Sequence, residues 1–287
     1  LLTFPSSCPS PVLLCAGKRE LEKPRMTSLS ISTNNVAIIT LLGADKVTKY
    51  PWGTLVSEHR WNPITVCSLK EHLLTIRNDP HVHSVIVTGE GKFWSNGLDL
   101  AWVDAHTTEE VNDFTRQLND IMSTILTFPI PTIAALNGHW CAAGGMMGLT
   151  FDHRIMNAEK GYFFIPAVDL GVVYSSFQIE LMKAKLPFWM HREVIIYNST
   201  RWQANELCQH HVIDSAVQSD QVLPESLLLA TELIKTKGHG SSRNAMGPIK
   251  VKVYGPVLAA LKLDESRLMR FSGRRKGTNY APPPSKL

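Results

Sequence analysis

Apolar residues recur along the chain with two rhythms. Residues 35–42 (NVAIITLL) are dense in β-branched side chains and predict a strand. Asn62-Pro63 then opens a helix carrying Leu69, Leu73, Leu74 and Ile76 roughly on one face. Residues 83–88 (HSVIVT) predict a second buried strand, closed by Gly89-Glu90-Gly91. A more polar segment with helical period runs from about 108 to 126, and residues 131–136 (PTIAAL) form a third strand. Residues 137–145 are expected to be a loop leading into a helix. Short strands follow at 153–157 and 162–165, helices at 177–184 and 202–209, and at least two more helices beyond Pro224. Strands alternating with helices indicate an α/β chain. No internal repeat or dividing linker is visible, and 287 residues with 44% hydrophobic side chains suit a globular domain.

One stretch invites a membrane reading. Residues 121–151 contain no Asp, Glu, Lys or Arg, long enough to cross a bilayer. Pro129, Pro131 and Asn137-Gly138 interrupt it, so a single helix is excluded and a strand, a loop and a buried helix are expected.

Charge is unevenly placed. The formal +4 includes Arg270, Arg274, Arg275, Lys276 and Lys286 in an acid-free tail, which leaves the rest of the chain within one unit of neutral. A neutral body argues against a nucleic-acid surface, and the tail reads as a solvated extension or a contact for phosphates. Five cysteines without a C-x-x-C pair fit free thiols in a reducing compartment, with no metal site expected. Residues 1–25, rich in Ser, Pro and Leu, read as a non-structural leader before Met26. The terminal Ser285-Lys286-Leu287, held extended by three prolines, matches the peroxisomal address and implies an import receptor as partner.

Two loops carry candidate chemistry: Lys92-Phe93-Trp94-Ser95-Asn96-Gly97-Leu98-Asp99-Leu100, and Asn137-Gly138-His139-Trp140-Cys141-Ala142-Ala143-Gly144-Gly145. Each follows a buried strand and is built of small residues. Backbone N–H groups at such junctions can stabilise an oxyanion, and glycine lets a ligand approach closely. Taken alone, either loop is better explained by a tight turn or close helix packing. Together they favour oxyanion binding.

The residues Phe93-x-x-x-Gly97-x-Asp99-Leu100, the segment 131–138 with Ala142-Ala143-Gly144 and Asp152, Arg60-Trp61-Asn62-Pro63, and Trp202-x-Ala204 through Val212-Ile213-Asp214 resemble the crotonase (enoyl-CoA hydratase/isomerase) family. The layout is most similar to its peroxisomal Δ3,Δ2-enoyl-CoA isomerase branch. The resemblance covers roughly 33–235, followed by a helical region at 236–269 and the tail at 270–287. It implies a ββα spiral, assembly as a trimer or hexamer, and coenzyme A as part of the substrate with no other cofactor. It places the oxyanion donors on Leu98 and Ala143, and substrate contacts at Arg60, Asn62, Ser95, Asn96, Gly97, Asp99 and Gly144.

The family's acids are missing. The resemblance aligns the two hydratase glutamates with Met146 and Ala167, and the single isomerase carboxylate with Ala167 or Ser175. Hydration by two glutamates is therefore not expected. Asp169 is the tentative base, because an extended backbone would put it on the same face as Ala167. Glu180 and Asp99 are the other carboxylates considered, the latter also as a tie within its own loop. His139 is expected to fix its loop by a hydrogen bond or to titrate near neutrality. Trp94, Trp102, Trp140 and Tyr162 would pack the core or line an acyl tunnel, with Phe163 and Phe164 in the core. An enoyl-CoA isomerase is the leading expectation. Thioester hydrolysis or decarboxylation, or acyl-CoA binding without catalysis, remain alternatives.

Overall fold

The structure, a computed structural model, describes residues 26–43, 49–197, 200–237, 240–263 and 270–271. The leader at 1–25 and the address at 285–287 lie outside them. The principal sheet has six strands in the order β1 (Thr27–Ile31), β2 (Val36–Leu41), β3 (Ser84–Gly89), β5 (Thr132–Leu136), β7 (His153–Asn157), β10 (Ser215–Val217). β1 is antiparallel to β2, and every other neighbouring pair is parallel. Parallel strands need covered faces, and the sequence supplies them by having no polar alternation in β2, β3 and β5. Ala37, Ile39, Val85, Val87, Ala134 and Leu136 join the main core. Val36, Ile86, Ile133 and Ala135 face the opposite way, under Val222 and Ala230 of α7 (Val222–Lys237).

Helix α1 (Pro63–Asn78) is capped by Asn62, whose Oδ1 accepts from the N–H groups of Ile64 and Thr65. Its buried positions include Leu69, Leu73 and Ile76, with Leu74 only half-buried. Helix α3 (Thr108–Leu126) starts at a capping box between Thr107 and Glu110. The expected loop after β5 is in fact structured. β6 (His139–Cys141) sits between β4 (Phe93–Ser95) and β8 (Phe163–Phe164) in a second, parallel sheet, and α4 (Ala143–Leu149) follows directly. The uncharged stretch is thus divided among α3, β5, β6 and α4, and no described helix is long and apolar enough to cross a membrane.

Helix α2 (Leu100–Ala105) follows the first glycine loop, and α5 (Ser176–Lys185) and α6 (Ala204–Gln209) follow β9 (Val172–Val173), which pairs with β11 (Arg270–Phe271). The last helices are α8 (Gly240–Val253) and α9 (Gly255–Ala260). α8 is fastened by two cations. Arg243 donates to the carbonyls of Ile76, Arg77, Asp79 and Val82 around the end of α1 at 2.7–3.1 Å. Lys250 donates to Asp152 Oδ2 at 2.6 Å and to the Phe128 carbonyl at 2.9 Å.

Candidate active site

The second sheet brings the two small-residue loops side by side. β4 and β6 are neighbours, with Phe93 opposite His139, and each runs into a short helix. Gly97 has φ +80°, and a Cβ there would lie 2.7 Å from Ala142 Cβ and 3.3 Å from Ala143 N. A Cβ on Gly144 would meet Ser95 at 2.7 Å. Glycine at these two positions is what lets the loops touch.

The contact leaves two backbone donors unspent. The Trp61 N–H donates to the Gly97 carbonyl at 2.7 Å and the Asp99 N–H to the Trp61 carbonyl at 3.0 Å, so Leu98 between them turns its own N–H away from that ladder. Ala143 is the first residue of α4, where N–H groups have no acceptor within the helix. Among the described residues neither N–H has a hydrogen-bond partner. Ala142 holds φ +52° and ψ −125°, a strained conformation for a residue with a Cβ, immediately before Ala143.

Around this pair the side chains serve the loop. Asp99 is fully buried and accepts four hydrogen bonds: from Trp52 Nε1 (2.6 Å), Thr54 Oγ1 (2.5 Å), Asn62 Nδ2 (3.1 Å) and the Trp102 N–H (3.2 Å). Ser95 Oγ, also fully buried, donates to the His59 carbonyl at 2.7 Å. Arg60 pairs with Glu58 and donates to the Leu98 carbonyl at 3.1 Å, while Asn96 Nδ2 donates to Glu58 at 3.4 Å. Substrate contacts are expected at Asn62, Ser95 and Asp99, but their side chains face the protein. They are inaccessible and already bonded, and they shape the loop instead. Trp52 and Thr54 were missed by sequence reasoning, since nothing local marks a residue as the partner of a carboxylate 45 or more positions away.

His139 also departs from expectation. Its ring is stacked on Tyr162 at 5.4 Å and tilted against Phe93 at 5.3 Å, and its loop-fixing bond comes from its backbone N–H to the Lys92 carbonyl. Burial, then the positive charges of Lys92 and Arg201, push its pKa below the ordinary histidine value, which leaves it neutral at neutral pH. Trp94, Trp140 and Phe163 are fully buried in the core. Phe164, expected in the core, is half-buried with the Arg201 guanidinium 5.5 Å from its ring centre.

The enoyl-CoA hydratase/isomerase family model matches residues 62–270. The chain belongs to this family. "Enoyl-CoA delta isomerase 3" of Arabidopsis thaliana is 29% identical over 77% of this chain and 91% of its own length. "Enoyl-CoA delta isomerase 2, peroxisomal" of the same plant is 28% identical, covering 72% and 88%. Among solved structures, an enoyl-CoA hydratase/isomerase family protein from Pseudomonas syringae superposes with a TM-score of 0.70 at 22% identity, covering 85% of this chain and 98% of that one. An enoyl-CoA hydratase from Mycobacterium ulcerans gives 0.70 at 17%, covering 83% and 95%. The fold is the crotonase fold.

The positions that the resemblance aligns with the family's acids carry no carboxylate. Met146 and Ala167 are buried and apolar. The Ser175 hydroxyl caps α5, accepting from the Gln178 N–H at 3.3 Å and from Asn119 Nδ2 at 3.3 Å. The reading that put Asp169 on the face of Ala167 is corrected. Residues 167–171 form a tight turn in which the Val172 and Leu170 N–H groups return to the Ala167 carbonyl. Ala167 is buried and Asp169 exposed, because strand alternation does not apply in a turn. Glu180 pairs with Lys183 one turn along α5 at 2.7 Å. Tyr174, unremarked in the sequence, has a buried hydroxyl beside the Ala167 backbone without hydrogen-bond geometry to any described group. Burial raises its pKa, so the phenol is a donor and not a base.

Proposed function

We propose that this chain binds acyl-CoA thioesters at the junction of the two loops and converts 3-enoyl-CoA to 2-enoyl-CoA in peroxisomes. The observation that carries the reading is the pair of unspent N–H groups on Leu98 and Ala143, on loops in direct contact. Two such donors on one thioester oxygen stabilise the enolate formed when a proton leaves C2, and a donor of this kind contributes roughly 10²–10³ in rate. Gly97 and Gly144 let the two loops close on one another so that both donors lie at one junction, with Arg60 and Asn96 at its rim. Isomerisation then needs one group to carry the proton from C2 to C4. Asp169, exposed on the turn after Ala167, is the carboxylate proposed for that role. Two relatives named as isomerases, one of them peroxisomal, support the chemistry and the location.

A second reading is favoured by Met146, Ala167 and Ser175: acyl-CoA binding without turnover. Both are tested by following 2-enoyl-CoA formation with the purified full chain. The isomerase reading expects slow conversion in the wild type, a loss of about 10²-fold in Asp169→Asn, and a gain in Ala167→Glu. Acyl-CoA binding with no conversion in the wild type, and conversion appearing only in Ala167→Glu, would establish the binding protein instead.

A further inference from the structure

The hairpin at residues 49–55 contributes to the site from outside both loops. Lys49 pairs with Leu55, the Tyr50 N–H donates to the Thr54 carbonyl at 2.9 Å, and the turn is closed by Gly53, φ +95°. From this turn Trp52 and Thr54 supply one hydrogen bond to each oxygen of Asp99, the residue after Leu98. The Asp99 carboxylate is fully buried, its four donors are all neutral, and no ion pair to it occurs among the described residues. A buried charge held this way depends on every donor, since each lost one leaves an oxygen undersolvated. The indole is itself fixed, stacked on Tyr50 at 5.0 Å and edge-on to His106, whose ring stacks on Trp102 of α2 at 4.1 Å. The hairpin therefore grips both Asp99 and the helix it caps.

We infer that Trp52 and Thr54 are positioning residues: the hairpin is a latch that sets the direction of the Leu98 N–H through Asp99. The inference rests on the reading above that Leu98 and Ala143 polarise a thioester carbonyl. Asp99 fixes the peptide that follows Leu98, and Arg60 holds the Leu98 carbonyl from the other side. Releasing the carboxylate lets the donor swing, and a displacement on the order of 1 Å at such a donor costs about 10²-fold in rate at the extreme. The latch acts on the polarised state and leaves the binding of the CoA portion alone.

The test is the infrared stretch of a ¹³C-labelled thioester carbonyl in acyl-CoA bound to the full chain, with affinity measured by calorimetry. Wild type shifts the band to lower frequency on binding. Trp52→Phe keeps the ring stack but loses the N–H, and Thr54→Val loses the second donor. Each should shrink the shift while acyl-CoA affinity stays within about twofold, and Thr54→Ser should restore it. Where turnover is measurable, both losses lower kcat on the order of tenfold with little change in KM. No shift in the wild type overturns the carbonyl-polarising reading and the latch with it. A wild-type shift retained in full by folded Trp52→Phe or Thr54→Val overturns the latch alone. If Trp52→Phe does not fold, as judged by circular dichroism, Thr54→Val and Thr54→Ser decide the matter.

Discussion

Ala142 shows how much of a site can rest on one dihedral pair. A residue with a Cβ at φ +52° and ψ −125° stores about 1–3 kcal/mol. Glycine there would release that strain and forfeit about 0.4–1 kcal/mol through its freer unfolded state. Ala142→Gly is therefore expected to stabilise the protein by about 1 kcal/mol, raising Tm by about 3 °C in a thermal melt. A lowered Tm would show that the alanine conformation carries no strain. Whether a residue is strained is not legible in a string of Ala and Gly, although the string itself marked the close approach at Gly97 and Gly144. The Asp169 expectation erred at this same scale. Side-chain alternation is a property of extended backbone, and the hydrogen bonds back to Ala167 make residues 167–171 a turn.

At the scale of elements, signals that are local in sequence were the readable ones. The buried strands β2, β3 and β5 show as unbroken aliphatic runs, and α1 shows as Asn-Pro followed by apolar spacing. β4 and β6 were not readable, being three residues each and held by pairing across about 45 residues. α7 was obscured by Pro224, which suggests a break but sits in the first turn, where its missing N–H is no loss. Helix α5 illustrates a position given over to architecture. The Ser175 hydroxyl accepts from the Gln178 N–H while the Gln178 side chain accepts from the Ser175 N–H at 3.1 Å. Removing this cap in Ser175→Ala also takes the acceptor from Asn119 Nδ2, so a loss of about 1–2 kcal/mol is expected in denaturant unfolding. An unchanged midpoint would mean that α5 is held by its packing alone.

Across the whole molecule, charge is concentrated where the C-terminal helices meet the sheet. Lys185 donates to the Phe151 carbonyl at 3.1 Å and lies 4.8 Å from the centre of the Tyr254 ring. Burial, then the positive charge of Arg154, pushes its pKa down to about 7, against about 10.4 unfolded. Between those values the unfolded chain holds a proton that the folded chain lacks, so stability rises with pH through this window and falls as pH drops toward 7. Lys185→Met should flatten the change in Tm between pH 7 and 9, and equal slopes in the two proteins would count against the shift. Arg243, which spans the molecule to close the end of α1, makes a sharper prediction. Arg243→Ala leaves four carbonyls short of a donor and should cost about 2–3 kcal/mol, read as earlier unfolding by urea. The same clamp imposes an order in time. Arg243 lies 164–167 residues after three of the carbonyls it binds, a delay of roughly 10–30 s at ordinary rates of synthesis. Until the ribosome has made α8, the nascent chain carries α1 with its end open to water. Closure of that end of α1 therefore waits until α8 has emerged.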